Sequence, residues 1–218
     1  STADVRAQLV KRICNQSSIS NWILEKVLGQ SSGEISQIQG YLSGEKSAWV
    51  NTPMYCWSLY QKIRMLYPSE SSVDATFMGF GGLACNAIHF IDFVSRWSGA
   101  LVTEIDVSGL RSDWYASKRE GFYEIDGEMN VSFSDGSSLM MITDRYEVNY
   151  MANLKIKDDE WLIDESKGLA CTSDGRQTRR GDVEYQSQLT APLVEAIFAD
   201  NPCGLPTLAE SAQHHNLF

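Results

Sequence analysis

The sequence predicts an α+β fold built on a mostly antiparallel sheet, and three observations carry that reading. Two Asp-Gly pairs, Asp126-Gly127 and Asp135-Gly136, sit between apolar runs as the two-residue turns of hairpins. Residues 146–156 alternate, with Tyr146, Val148, Tyr150, Ala152, Leu154 and Ile156 on one face of a strand. Helical periodicity flanks this region on both sides.

Residues 4–15 place Val5, Leu9, Val10 and Ile13 along one side of a helix, with Ser1 or Thr2 as its cap. Residues 21–28, NWILEKVL, read as a short buried strand. Residues 31–43 read as a second helix, capped by Ser31 or Ser32. Helix–strand–helix is the rhythm of an α/β domain, yet a lone strand makes no parallel sheet. The strand either joins a later sheet or belongs to a larger domain. Residues 47–53, SAWVNTP, look like a crossover strand, and Pro53 suits the first turn of a helix running to residue 67. A strand at 73–80, a helix at 84–98 stopped by Gly99 and a strand at 100–110 follow. From Gly121 onward the pattern becomes a meander of four or five strands. Two helices, at 184–199 and from Pro206 to at least Leu217, close the chain.

Composition narrows the function. The chain has 218 residues, 43% of them hydrophobic and 21% charged, which suits one large soluble domain or one and a half. A formal charge of -10 argues against nucleic acid as a partner. Arg176, Arg179 and Arg180 lie among Gly, Asp and Thr and read as a solvated loop. Five scattered cysteines without C-x-x-C spacing fit reduced thiols in the cytoplasm. No apolar run has the length of a membrane span, and no secretory signal opens the chain.

Residues 78–93, MGFGGLACNAIHFIDF, admit two readings. Gly79-x-Gly81-x-x-Ala84 fits the dinucleotide fingerprint, and Asp106 stands where a ribose-binding acid would end the next strand. The context opposes it, because two-residue hairpins follow where further βαβ units are required. In the other reading, Cys85, His89, Asp92 and Arg96 form a polar stripe on an otherwise apolar helix. Asp92 and Arg96, spaced i, i+4, can form a plain ion pair beside a half-buried structural histidine. Alternatively His89 faces a cleft and takes a proton from a substrate hydroxyl. A zinc site through His89 and Asp92 lacks further ligands at useful spacing, since His214 and His215 lie in the last helix. Cys85 as a nucleophile with His89 as its base lacks an oxyanion-hole signature.

Taken in order, these segments resemble the glucose–fructose oxidoreductase / inositol dehydrogenase (Gfo/Idh/MocA) family. WILEKVLGQSSGEISQI resembles its Glu-Lys-Pro segment, matched at Glu25 and Lys26 with Val27 in place of proline. GGLACNAIHFIDFVSRWSG is similar to its GG-x-L-x-D-x-G-x-H-x-x-D motif. STADVRAQLVKRI and GLPTLAESAQHHNLF are similar to the helices on either side. The resemblance implies that residues 1–46 are a remnant of an NAD(P)-binding Rossmann domain. Residues 47–218 would then be a substrate-binding and oligomerisation domain, an open antiparallel sheet covered by helices on one face.

The implied reaction is hydride transfer between NAD or NADP and the hydroxyl-bearing carbon of a sugar, cyclitol or related polyol. Lys26 and His89 match the catalytic positions, with Glu25 and Lys26 on the cofactor side and Asn51, Tyr55 and His89 on the substrate side. Cys85, Asn86 and Asp92 are supporting positions. Cys85 replaces the family's aspartate, and Met54 and Tyr55 stand where an arginine is frequent. These departures keep a second expectation open, a sugar-binding or assembly module on the same fold that does no catalysis. The isolated 218-residue chain is expected to hold a dinucleotide poorly, and the sheet's open face to pair with a second subunit.

Overall fold

The computed structural model describes residues 2–44, 47–69, 71–146 and 150–218. In chain order the helices are α1 (Ala3–Gln16), α2 (Ser32–Tyr41), α3 (Ser58–Arg64), α4 (Leu83–Ser98), α5 (Gln186–Phe198) and α6 (Leu208–Leu217). The strands are β1 (Asn21–Glu25), β2 (Ser47–Asn51), β3 (Asp74–Met78), β4 (Val102–Asp106), β5 (Tyr115–Ala116) and β6 (Tyr123–Glu124). They continue with β7 (Gly127–Phe133), β8 (Ser138–Thr143), β9 (Met151–Ile156), β10 (Asp159–Asp164), β11 (Leu169–Thr172) and β12 (Thr178–Arg180).

The chain divides into two compact units, Ser1–Pro53 with Gln186–Phe218, and Met54–Tyr185. In the first, β1 and β2 pair in parallel, Asn21 against Ser47 through Glu25 against Asn51. Parallel strands need a crossover, and α2 supplies it. Leu24, Val50, Ile35, Ile38, Val10 and Leu208 form the core of this unit. Ser31 caps α2, its hydroxyl accepting from Glu34 N, and Thr207 with Glu210 forms a capping box on α6. The division differs from the boundary expected between 46 and 47. β2 pairs with β1, and the closing helices belong with the opening segment.

The second unit holds an eight-stranded sheet in the order β12-β11-β10-β9-β3-β8-β7-β4. Its pairs are antiparallel except β3 with β8. Ala75, Phe77, Val131, Leu139, Met141, Ala152, Leu154 and Trp161 are buried on one face, and α4 packs on β7 and β8. The alternation read in 146–156 is kept in β9, where Ala152, Leu154 and Ile156 point into the core. Tyr146 lies outside the strand, 82% exposed, and Val148 falls outside the described residues. The open face carries Met78, Met140, Ile142, Met151 and Leu162 instead. Met78 sits between Ile142 and Met151.

Several local expectations are corrected. The Asp135-Gly136 hairpin forms between β7 and β8, but Asp126-Gly127 makes none. β6 pairs with β5, and β7 pairs with β4 and β8. Gly127 is needed for a close approach rather than a turn, since a Cβ there would lie 2.5 Å from Gly109 O. The helix expected after Pro53 is split into a 3-10 turn, Pro53–Cys56, and α3, with Trp57 extended between them. The arginine-rich stretch 176–180 is no simple loop, for Thr178–Arg180 is an edge strand, and charged edges resist further pairing.

Candidate active site

The carboxyl ends of β1 and β2 gather the first set of expected residues. Glu25 ends β1 and accepts from Asn51 Nδ2 at 3.3 Å and from Gln186 Nε2 at 2.9 Å. Lys26 follows, half-buried, and the Lys26–Val27 peptide is cis. The backbone beyond Lys26 is held from two helices. Arg6 of α1 donates to Val27 O. Leu28 N donates to Nε2 of His215 at 3.1 Å, while Nδ1 of that ring lies 2.7 Å from Ser211 O. Nε2 accepts, so the geometry assigns the proton to Nδ1 and makes His215 the neutral Nδ1–H tautomer. Arg6 and His215 are 2% and 7% exposed. Sequence reading singled out neither as functional, because α1 and α6 are distant from Lys26 along the chain.

The second set lies on α4 and beside it. Gly82 is the N-cap with φ 60°, which a glycine adopts without strain. Asn86 donates to Gly82 O at 3.1 Å and to Gly81 O, so its amide grips the entry loop. Glu124, arriving from β6, accepts from Cys85 N at 3.3 Å. Along the expected polar stripe, exposure falls from Cys85, which is exposed, through half-buried His89 to Asp92 at 1%. One turn further, the Arg96 guanidinium lies 5.8 Å from the centre of the Tyr55 ring. Cys85, Asn86, His89 and Asp92 therefore follow one another along α4, Tyr55 lies by its last turn, and Glu25, Lys26 and Asn51 share a separate locality.

This geometry removes the fingerprint reading of residues 79–84. The first turn of α4 already holds the Glu124 carboxylate, where a pyrophosphate would need open backbone donors. Asp106 does not face a ribose either. It accepts from Ser108 N at 2.8 Å in its own turn, and that contact holds its carboxyl below the usual range.

No family model matches the sequence, and no curated protein matches it. Solved structures do match in fold. UDP-N-acetylglucosamine 3-dehydrogenase GnnA from Acidithiobacillus ferrooxidans superposes with a TM-score of 0.71 at 11% identity, over 99% of this chain and 73% of that one. An oxidoreductase from Agrobacterium radiobacter, solved with NAD+, L-tartaric acid and magnesium, gives 0.66 at 10% identity, over 100% and 73%. The fold of this chain is that of the Gfo/Idh/MocA-type oxidoreductases. The super-repressor mutant of Gal80p from Saccharomyces cerevisiae superposes at 0.73 with 10% identity, over 100% and 74%, and the transcriptional regulator Gal80p from Kluyveromyces lactis at 0.71 with 10%, over 99% and 71%.

Within the Gfo/Idh/MocA fold, a buried and a half-buried carboxylate have roles that the sequence did not announce. Asp126, fully buried, accepts from Arg145 N and Nε and from Tyr115 OH at 2.9, 3.1 and 2.9 Å. Burial works to raise its carboxyl, but these donors outweigh it and hold it below the usual range. Burial, with the neighbouring carboxylate, pushes the Tyr115 hydroxyl up to about 12. Glu165 accepts from both Tyr60 and Tyr150, at 2.5 and 2.7 Å. Here burial outweighs the two phenols and the carboxyl is raised. Both clusters tie loops to the sheet.

Proposed function

We propose that this chain is the substrate-binding part of an NAD(P)-dependent oxidoreductase acting on a hydroxyl-bearing carbon of a sugar, cyclitol or related polyol. The observation that carries this reading is the placement of His89, half-buried on α4 of a fold shared with GnnA and with the NAD+-bound oxidoreductase. The residues after β1 fit the nicotinamide-ribose end of a cofactor. They offer the Lys26 cation and a carboxylate already oriented by two amides, at the carboxyl ends of parallel strands, where such ligands bind. The pyrophosphate has no corresponding seat at α4.

The nicotinamide, when bound, takes up or supplies the hydride. His89 receives the hydroxyl proton as the carbon–hydrogen bond breaks and returns it in the reverse direction. Lys26 stands with Glu25 at the nicotinamide-ribose end of the cofactor, in the first unit. Tyr55, in the same unit as His89, contacts the substrate. The protein works in the cytoplasm as a homo-oligomer, paired through the open sheet face.

The test is a panel of hexoses, nucleotide sugars and cyclitols assayed with the full-length protein for nicotinamide reduction, followed by His89→Ala on whichever substrate turns over. Turnover should fall by roughly 10²- to 10⁴-fold with cofactor affinity nearly unchanged. Near-normal turnover in the variant would remove His89 from the chemistry. The likeness to the regulator Gal80p and the presence of Cys85 favour a second reading, a sugar-binding or assembly module without catalysis. Sugar binding by the full-length protein without turnover, in the parent and in Cys85→Asp alike, would decide for that module.

A further inference from the structure

We propose that Glu124 is the positioning carboxylate of His89, delivered to α4 from a separate hairpin. This deepens the reading of His89 as the acid–base group and rests on it. An imidazole that moves a proton works best when a carboxylate orients the ring and raises its basicity. Residue 85, one turn before His89 on the same side of the helix, is the thiol Cys85 and brings no such charge. Glu124 brings it to that turn, its Oε2 lying 3.3 Å from Cys85 N. Helical side chains lean toward the helix N-terminus, so His89 overlies the turn of Cys85 and Asn86 that Glu124 reaches.

The surroundings hold this arrangement. A Cβ at Gly82 would come within 2.2 Å of the Glu124 carboxyl, so the glycine leaves the room this carboxylate fills. Glu124 pairs with Tyr115 across β5 and β6, and the Tyr115 hydroxyl is anchored on buried Asp126. The hairpin therefore presents the carboxylate on a braced arm. Among the described residues of α4, Asp92, buried one turn beyond His89, and Arg96, which lies over Tyr55, bring further charge to this side.

The experiment is an NMR titration of the His89 ring in the whole chain, assigned by loss of its signal in His89→Gln. Glu124→Gln keeps the acceptor for Cys85 N but removes the charge. It should lower the His89 pKa by about one unit. Adding Cys85→Asp to that variant supplies a carboxylate from the helix itself and should restore the value. If Glu124→Gln does not fold, Glu124→Asp, with the charge one methylene short, should lower it by a smaller step. An unchanged His89 titration in the first variant, or in this substitute, overturns the proposal. So does a lowered value that Cys85→Asp does not restore. The titration reads the carboxylate–imidazole coupling whether or not substrate turns over. Its failure is therefore distinct from failure of the catalytic reading, which the His89→Ala assay decides.

Discussion

Asp126 shows how one residue can carry two opposed signals. Beside Gly127 it reads as a hairpin turn, because that dipeptide suits the left-handed positions of a tight turn. Its partners Tyr115 and Arg145 lie 11 and 19 residues away, and no local pattern names them. The buried carboxylate instead closes the segment between β4 and β7. Asp126→Ala should cost about 2–3 kcal/mol at neutral pH, read by urea unfolding, since it strips Arg145 N and Nε and Tyr115 OH of the buried acceptor they share. The folded carboxyl lies below its unfolded value of about 3.9, so its contribution is present above that pH. It is lost as pH falls through the folded value, and the gap between variant and parent should narrow steadily in acid. A gap that is the same at both ends would remove the charge from the explanation. His89 stood out as a polar position on an apolar helix. Glu124 did not, because a carboxylate in a short hairpin carries no periodic signal.

At the scale of elements, legibility follows how local the determining physics is. α4 was read almost to the residue because its apolar face, its glycine entry and the left-handed Gly99 at its end are all local. α3 was read too long, because Trp57 adopts an extended conformation that only packing fixes. The turn after β1 shows the reverse case, a short motif whose support comes from two distant helices. His215→Ala should raise hydrogen exchange of the Leu28 amide by about tenfold, corresponding to one lost buried hydrogen bond. His215→Gln, whose amide can accept from Leu28 N and donate to Ser211 O, should keep most of the protection. Equal protection in both variants would mean that the brace does not hold this turn.

At the scale of the whole molecule, the α+β class and the antiparallel meander followed from alternation and turn chemistry, whereas strand order did not. Nothing local to residues 73–80 says that β3 lies in the middle of the sheet. The open face exposes Met140 at 38%, Leu162 at 49% and Met151 at 55% among acids and amides, an apolar patch that suits a second copy. If the proposed pairing uses this face, Met140→Lys with Met151→Lys should reduce the particle mass to that of one chain by light scattering, and an unchanged mass would place the contact elsewhere. The position of β3 has a further consequence in time. Its neighbours β8 and β9 come much later in the chain, with Asp74 opposite Ser138, 64 residues on. At ordinary synthesis rates that separation is a wait of several seconds, on the order of 3–13 s. Contacts so distant in sequence also close slowly. The apolar strand VDATFM and the helix after it must be shielded from other chains during that interval, so the helix carrying His89 is made early and fixed late.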